Sequence, residues 1–503
     1  MQKYPVGIQD FEKLRTNDFV YVDKTQYILQ LINGSTNYFL SRPRRFGKSL
    51  FVSTLKYLFQ GRKDLFAGLF IEDKIEWKAR PVIHLDFSNE AWKETGLRKH
   101  MLNMLQEHAD LHNVELKKEP LADRFRELLT SLSQNPVLLI DEYDKPILHF
   151  IGKDNDQANA NREVMREFYS VLKPLEGNIH FLFITGITRF SKTSLFSDMN
   201  HLLDITIHEN LAPICGYTAD ELEIYFSDDI KKYAISNGIE LDAYKEKIKL
   251  WYNGYRWFAK SPSVYNPFSM LNFLSNNGNF QNYWFNSGLP TFLINTLNQN
   301  QDYDFEEVTA QETLLNNFSI ENLNSITLMF QAGYLTIKSK DEDIYTLVYP
   351  NLEVKKALLE SILTDKAKEA RSLPLIYKLR EYFEKKDFEE IRDVIDSLFA
   401  NIPYQIFNEK SEYYYHSIIV VAFQLLGCIA DAEVSTHKGR IDVVVKTKQY
   451  IYILEFKVRK SAEIALAQIK EKAYAKKFES DGRELICIGI NFENKAIKEF
   501  LVA

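Results

Sequence analysis

The sequence has 503 residues, of which 45% are hydrophobic and 26% are charged, and its formal net charge is -7. This composition is ordinary for folded proteins and excludes a disordered chain, a collagen-like repeat and a membrane protein, while the length favours two or three domains. The negative charge excludes the basic field of a DNA-coating protein, so any contact with nucleic acid must be local.

The three cysteines, Cys215, Cys428 and Cys487, are far apart in the sequence. This spacing provides neither a disulfide framework nor a zinc site and favours a reducing cytoplasm. No stretch approaches the ~18 to 20 apolar residues of a membrane-spanning helix, and the N-terminus lacks the apolar run of a secretory signal. We therefore expect a cytoplasmic protein with no membrane partner.

Short β-branched and aromatic runs alternate with amphipathic segments over residues 37–210, which predicts a parallel α/β sheet. The run Val137-Leu138-Leu139-Ile140 is apolar throughout, as expected of a strand that is covered on both faces. The predicted strands are Asn37–Leu40, Pro81–Asp86, Val137–Ile140, Phe181–Ile184 and Leu203–Ile207. The predicted helices of this region are Leu50–Phe59, Met101–His108 and Leu121–Leu132.

The segment after the first predicted strand has the parts of a phosphate-binding loop. It reads Arg42-Pro43-Arg44-Arg45-Phe46-Gly47-Lys48-Ser49 and is followed by an apolar helix. Gly47 lets the backbone approach phosphates, Lys48 counters their charge, and Ser49 would bind Mg²⁺. Arg42 stands where the usual pattern has its first glycine, and the alternative interpretation is a basic helix N-terminus without a ligand.

Two acids follow the strand Val137–Ile140. Asp141 would hold the metal and Glu142 would activate water for ATP hydrolysis, although two acids can also mark a strand that meets a surface loop. Thr188 and Arg189 follow another strand at the end where ligands of open α/β sheets bind, and they are predicted sensors of the γ-phosphate. The residues predicted to bind ATP and Mg²⁺ are Arg44, Arg45, Phe46, Gly47, Lys48, Ser49, Leu50, Asp141, Thr188 and Arg189.

The middle of the chain is helical and aromatic, as in Trp251–Trp257, and predicts a helical lid. A later helix is followed by a strand at Leu335–Ile337, a charged turn over Lys338–Asp343 and a strand at Tyr345–Tyr349. A helix followed by a hairpin predicts a winged-helix-like connector. The charged helical span 365–400 indicates a solvated face.

The pattern changes again after about residue 405. The predicted elements are a helix over Tyr413–Leu426, strands Ala432–Ser435, Ile441–Lys446 and Tyr450–Lys457, a helix over Ser461–Phe478 and a strand Leu485–Ile490. Asp442 opens one strand, and Glu455 and Lys457 share a face of the next because side chains alternate along a strand. Two acids and a lysine can serve metal-dependent phosphodiester cleavage, with Asp442 and Glu455 as metal ligands, whereas Glu-x-Lys also occurs in surface hairpins. His416 and His437 stand apart and support no zinc site.

Several of these motifs occur together in a known family. Gly7, Asp10-Phe11, Tyr21-Val22-Asp23-Lys24-Thr25, Ser41 to Ser49, Leu139 to Pro146 and Thr185 to Arg189 resemble motifs of the AAA-ATPase-like family. The resemblance covers residues 1 to about 210. It implies a P-loop NTPase fold of the branch with an extra catalytic glutamate. It also implies that the arginine-rich loop replaces the usual leading glycine, as in the AAA-ATPase-like family.

The C-terminal stretch with Asp442 and Glu455-Phe456-Lys457 resembles the PD-(D/E)XK nuclease superfamily, over about residues 405 to 500. The resemblance implies a restriction-endonuclease-like α/β domain, of a kind often fused to such an ATPase. Glu433, Gln468 and Tyr474 match positions where that superfamily often has auxiliary residues.

These observations predict four parts: a P-loop ATPase core over residues 1–212, a helical lid over 213–322, a winged-helix-like connector over 323–404 and a nuclease-like domain over 405–503. The preferred hypothesis is an Mg²⁺-dependent ATPase coupled to a metal-dependent nuclease that acts on DNA or RNA, with Glu142, Asp442, Glu455 and Lys457 as catalytic residues. The alternatives are a nucleotide-switched protein whose C-terminal domain binds without cutting, and a scaffold with an inactive P-loop. The oligomeric state is left open.

Overall fold

The computed structural model describes residues 3–189, 202–284, 293–294, 296–297, 305–315, 323–367, 372–400, 419–427, 434–436, 442–471, 478, 481–493 and 496–503. The chain divides into two compact units. The first consists of Met1–Thr296 and Glu307–Glu353, and the second of Leu297–Glu306 and Val354–Ala503. Each contains a five-stranded sheet. The finer four-part division stays a prediction.

A five-stranded parallel sheet forms the centre of the first unit, as predicted. Its strands are β1 (Asn37–Ser41), β2 (Val82–Asp86), β3 (Val137–Asp141), β4 (Phe181–Gly186) and β5 (Leu203–Asp204). They lie in the order β2-β3-β4-β1-β5. Every residue of β1, β3 and β4 is buried, which explains their apolar sequences. Strand β5 ends before the predicted Ile207 because the Asp204 carboxylate accepts the Thr206 N–H at 2.9 Å and turns the chain.

Helices connect these strands. They are α1 (Phe11–Thr16), α2 (Thr25–Ile32), α3 (Lys48–Phe59), α4 (Trp92–Thr95), α5 (Leu97–Leu111), α6 (Leu121–Ser131), α7 (Lys145–Leu148) and α8 (Asn155–Tyr169). Helix α5 is longer than the predicted Met101–His108. It starts at Leu97 because Leu97, Met101, Leu105 and Ala109 recur every four residues and form one buried face.

A helical segment follows the sheet, as predicted, with α9 (Ala219–Ser236), α10 (Leu241–Tyr252) and α11 (Pro267–Ser275). A capping box fixes the start of α9: the Thr218 hydroxyl accepts the Glu221 N–H at 3.2 Å, and the Glu221 carboxylate accepts the Thr218 N–H at 2.8 Å. Buried side chains of these helices form one core with Val22 of the N-terminal segment.

A small antiparallel sheet completes the first unit. Its elements are β6 (Val308–Gln311), α12 (Glu312–Leu315), α13 (Ser325–Ala332), β7 (Thr336–Asp341) and β8 (Ile344–Val348), with strand order β6-β8-β7. Strand β6 was not predicted, and the predicted charged turn over Lys338–Asp343 is wrong because β7 continues to Asp341. Charged residues fit there since β7 lies at the sheet edge, where Lys340 pairs with Glu312 at 2.6 Å.

The second unit contains a mixed sheet. Its elements are α14 (Leu352–Ala367), which begins at the end of the first unit, α15 (Ser372–Lys385), α16 (Phe388–Ala400), α17 (419–427), β9 (Val434–Thr436), β10 (Asp442–Lys446), β11 (Tyr450–Val458), α18 (Ala462–Glu471), β12 (Glu484–Glu493) and β13 (Ala496–Val502). The order is β13-β12-β11-β10-β9, and only the β11–β12 pair is parallel among these strands. Strand β13 was not predicted. No helix among the described residues is long and apolar enough to cross a membrane.

Candidate nucleotide site and candidate metal centre

The candidate phosphate loop, residues 42–49, joins the central strand β1 to helix α3. Two of its residues have left-handed backbone conformations, Arg45 with φ 66° and Gly47 with φ 92°. Gly47 is the N-cap of α3, where a left-handed turn is accessible to a residue without a side chain. The first backbone N–H groups of a helix have no partner within it, so the start of α3 is suited to an anion.

Lys48 is nearly buried, with 4% of its surface exposed. Its ammonium donates to two carbonyl oxygens of the loop, those of Arg42 at 3.1 Å and Pro43 at 3.0 Å. The positive charge is therefore held within the loop where phosphates are predicted to bind.

Asp141 at the end of β3 is 2% exposed. Burial raises the pKa of Asp141 to about 7, and the hydrogen bond with the Ser49 side chain and the charge of Lys48 partly oppose this rise. One carboxylate oxygen accepts the Glu142 N–H at 2.9 Å. Lys48 and Ser49 thus lie close to Asp141, which is about ninety residues further along the sequence, at the carboxyl end of the sheet.

A cavity of about 410 Å³ opens beside the phosphate loop. One part of its wall is polar. It contains the predicted site residues Arg44, Arg45, Gly47, Lys48, Ser49 and Glu142, together with Ser88, Glu90 and Lys145, which were not predicted as site residues. Phe46 and Leu50 of the predicted set also line it. Roughly 300 to 1,000 Å³ is the usual size of a small-molecule site, so the cavity has room for a nucleotide.

The other part of the wall is apolar and was missed in the sequence. It comes from three distant segments: Pro5, Ile8, Leu14, Val20, Tyr21 and Val22; Ile214 and Tyr217; and Pro267, Phe268 and Leu271. Lys24, also on the wall, is neutralised by Glu221 of α9, with Nζ 2.6 Å from Oε1. On this side of the wall, Tyr21 to Lys24 and the neighbouring Gly7 gave a sequence signal, through the family resemblance. The rest could not be located because they meet only when the sheet and the helical segment fold together.

The two predicted sensor residues lie in the loop after β4. The Thr188 hydroxyl donates to Asp144 Oδ2 at 2.6 Å, and the same oxygen accepts the N–H groups of Ile187 at 2.9 Å and Thr188 at 2.6 Å. Arg189 forms an ion pair with Asp204 at 2.6 Å. Asp144, which was not predicted as a site residue, therefore links the loops after β3 and β4. The sensor roles of Thr188 and Arg189 stay predictions.

In the second unit, antiparallel pairing puts Asp442 of β10 directly opposite Glu455 of β11. Glu455 is completely buried; its Oε1 accepts from Lys457 Nζ at 2.6 Å, and its Oε2 has no hydrogen-bond partner among the described residues. Gln468 lies on α18 and is partly buried. The side chain of Asp442, together with Glu433, Tyr474, His416 and His437, lies outside the described residues.

A buried carboxylate oxygen without a partner suits a cation, because an unpaired acceptor away from water is costly. Within the described parts of both units, no three His, Cys, Asp or Glu side chains cluster as a metal site. Two protein ligands are nevertheless enough for a magnesium ion that shares phosphate oxygens and water with its substrate.

Comparison with known proteins gives two family matches. The model described as "Predicted AAA-ATPase" matches residues 5–196, and the model described as "PD-(D/E)XK nuclease superfamily" matches residues 410–499. The chain is 35% identical to the "Uncharacterized protein in vnfD 5′ region" of Azotobacter chroococcum mcd 1, over 100% of this chain and 99% of that relative. The chain belongs to the AAA-ATPase-like family, fused to a nuclease-superfamily domain. No solved structure matches it.

The AAA-ATPase-like match contains Lys48, Ser49, Asp141, Glu142 and Thr188. The apolar walls at residues 214–217 and 267–271 lie beyond it. The cavity of this AAA-ATPase-like protein is therefore completed by the helical segment, outside the part of the chain that defines the family.

Proposed function

We propose that the first unit binds ATP with Mg²⁺ and hydrolyses it, and that the second unit cleaves nucleic acid in a metal-dependent reaction. The convergence of Lys48, Ser49, Asp141 and Glu142 on one end of a parallel sheet, next to a cavity of about 410 Å³, carries the proposal for the first unit. The polar wall suits a triphosphate, and the apolar wall suits a base and ribose.

The acidic and hydroxyl groups fit a hard cation. Ser49 and Asp141 would hold Mg²⁺, and the ion would supply electrostatic stabilisation of the phosphate charge. Lys48 would leave the loop carbonyls of Arg42 and Pro43 for the β- and γ-phosphates, because a charge-assisted bond to phosphate is stronger than a bond to a neutral carbonyl.

Glu142 is the proposed general base. Its carboxylate accepts a proton from water while the water oxygen bonds to the γ-phosphorus and the bond from that phosphorus to the β–γ bridging oxygen breaks. Asp141 is less suited to this role because it is buried beside Ser49 and Lys48.

The test is isothermal titration calorimetry with ATP and Mg²⁺, combined with a phosphate-release assay. Lys48→Ala is expected to weaken ATP binding by about 100-fold or more, because it removes the charge nearest the phosphates. Lys56→Ala, on the same helix but away from the cavity wall, is the matched control and should bind like the wild type. Equal ATP affinity of Lys48→Ala and the wild type would refute the site.

Cleavage by the second unit is proposed from Glu455 and its pairing with Lys457. Asp442 and Glu455 would hold the cation, whose role would be to stabilise charge on the phosphodiester, and Lys457 would lie beside the attacking water. Asp442→Ala should abolish Mg²⁺- or Mn²⁺-dependent cleavage of DNA or RNA. Wild-type protein that is inert on single- and double-stranded DNA and RNA would count against a nuclease.

The alternative is a nucleotide-switched protein that binds nucleic acid or a partner without cutting. The net charge of -7 favours it, because a nuclease without a basic field must obtain its phosphate contacts locally. Binding that is measured separately from cleavage, over a salt titration, distinguishes the two functions, since phosphate contacts weaken steeply as salt rises.

A further inference from the structure

Phe46 lies in the middle of the phosphate loop and yet is 1% exposed. Its ring makes edge-to-face contacts with Tyr255, at a centroid distance of 4.6 Å, and with Trp257, at 5.1 Å. Edge-to-face aromatic pairs are favourable beyond the area they bury and have a defined geometry. The loop is therefore fixed from outside, by residues that follow helix α10.

Arg42, at the position of the missing glycine, is fixed by the same tryptophan. Its guanidinium carbon lies 4.2 Å from the centre of the Trp257 ring, and its nitrogens donate to the carbonyls of Ser41 at 2.8 Å, Thr206 at 2.9 Å and Ala212 at 3.2 Å. Burial lowers the pKa of Arg42 to about 10, so the guanidinium remains charged at neutral pH. A buried cation needs these partners, and they leave the start of the loop little freedom.

A second tryptophan, Trp284, contacts the loop at Arg44. The Trp284 indole N–H donates to the Arg44 carbonyl at 3.0 Å. The backbone N–H of Trp284 in turn donates to Glu353 at 2.7 Å, and the other oxygen of this buried carboxylate accepts the Ser269 hydroxyl at 2.7 Å. Trp284 is thus held by Glu353 through its backbone and binds the loop through its side chain.

We propose that Tyr255, Trp257 and Trp284, here called the aromatic brace, position the phosphate loop for a triphosphate. The inference rests on the proposed ATP site. In a glycine-led loop the sequence itself permits the phosphate-binding conformation; here external aromatic contacts enforce it. Since loop N–H groups must point at the phosphates to within a fraction of an ångström, the brace acts on the phosphate end of the ligand and not on the base.

The experiment compares ATP with adenosine, each measured by competition against a fluorescent ATP analogue. Trp284→Phe keeps an aromatic side chain but removes the indole N–H donor and part of the ring volume. It is expected to weaken ATP binding by about 3- to 10-fold while the affinity for adenosine changes less than twofold. Trp257→Leu removes the aromatic ring that contacts Arg42 and Phe46. It is expected to weaken ATP binding by more than 10-fold, while the affinity for adenosine again changes less than twofold.

Trp77→Phe is the matched control, because the Trp77 indole also donates to a backbone carbonyl, that of Glu72 at 2.9 Å, away from the cavity. It should leave both affinities unchanged. Thermal unfolding of every variant shows whether it is folded, and Trp257→Phe replaces Trp257→Leu if the latter is not. Equal losses for ATP and adenosine, or none beyond those of Trp77→Phe, overturn the brace while leaving the ATP site intact. A wild-type protein that does not bind ATP overturns both.

Discussion

Glu142 has a left-handed backbone conformation, with φ 51°, which is uncommon for a residue with a side chain. Its N–H bonds to the carboxylate of Asp141, and it lies on the cavity wall. Strained backbone at a polar site often marks a residue whose side chain must point in a particular direction for function. The strain at Glu142 is consistent with a group that must face attacking water while its neighbour faces the metal.

Glu142→Gln is expected to retain ATP affinity within about twofold, because the amide has the same shape, and to lower the rate of hydrolysis by about 100-fold or more, because it cannot accept a proton at neutral pH. A phosphate-release assay measures this. Glu163→Gln, on helix α8 and paired with Arg166 away from the cavity wall, is the control and should hydrolyse ATP at nearly the wild-type rate. Wild-type turnover by Glu142→Gln would assign the base elsewhere.

Glu353 predicts a pH effect on stability. Burial raises the pKa of Glu353 from 4.5 to about 7. Below pH 4.5 the carboxyl is protonated in both states; between pH 4.5 and about 7 the unfolded state ionises first, so the folded state loses stability as pH rises, and the loss is complete above pH 7. In Glu353→Gln this loss should disappear, because the amide does not titrate; its oxygen can accept the Trp284 N–H and its NH2 can donate to the Ser269 hydroxyl.

Urea unfolding at several pH values measures the difference. The free energy of unfolding of the wild type, relative to Glu353→Gln, should fall between pH 4.5 and 7. Glu223→Gln, at an exposed position on α9, should follow the wild type. Parallel curves for the wild type and Glu353→Gln would show that the carboxyl has the same pKa in both states.

At the scale of elements, Asp144 holds the loop after β3 against the loop after β4. Three donors share one oxygen of its carboxylate, and the Tyr143 hydroxyl adds a bond to the Thr188 carbonyl at 3.0 Å. Helix α13 joins this arrangement, because Gln331 accepts the Arg189 N–H at 2.9 Å. A movement of Asp141 and Glu142 would therefore shift the loop after β4.

Asp144→Ala is expected to lower the free energy of unfolding by about 3 kcal/mol, because it leaves three buried donors without an acceptor. Urea unfolding measures the loss. Asp156→Ala, on the exposed face of α8, is the control and should change stability little. A loss below 0.5 kcal/mol for Asp144→Ala would mean that water or another group satisfies those donors.

The sequence predicts the elements with strong local patterns and misses those that depend on distant partners. All five strands of the parallel sheet were predicted, and β1 to β4 are short runs of mainly apolar residues. Strand β13, with Lys498 and Glu499 in its middle, has no such run and is recognised only by its pairing with β12. The same holds for the sites: Lys48 and Asp141 have motifs, whereas Trp257 and Trp284 act only through the folded contact with the loop.

At the scale of the whole molecule, the fusion of an AAA-ATPase-like domain to a nuclease-superfamily domain predicts that the two proposed activities are coupled. DNA or RNA is expected to raise the rate of ATP hydrolysis several-fold at low salt, and the effect should decline as salt rises. Glu455→Gln should keep this stimulation, since an amide can accept from Lys457, but lose cleavage. Phosphate release measures ATP hydrolysis, and gel assays measure cleavage, both on the full chain. A rate of ATP hydrolysis that does not change with any DNA or RNA would show that the two proposed activities are independent.

The hydrogen bond between Trp284 and Glu353 limits how this protein can be truncated or fused to another. A fragment that stops at residue 212 keeps the whole ATPase motif set, but it leaves behind both tryptophans of the brace and the carboxylate that holds one of them. Glu353 is also the last residue of the first unit. A transferable fragment that keeps the proposed nucleotide site and its aromatic brace must therefore extend to Glu353, well beyond the residues of the ATPase motifs.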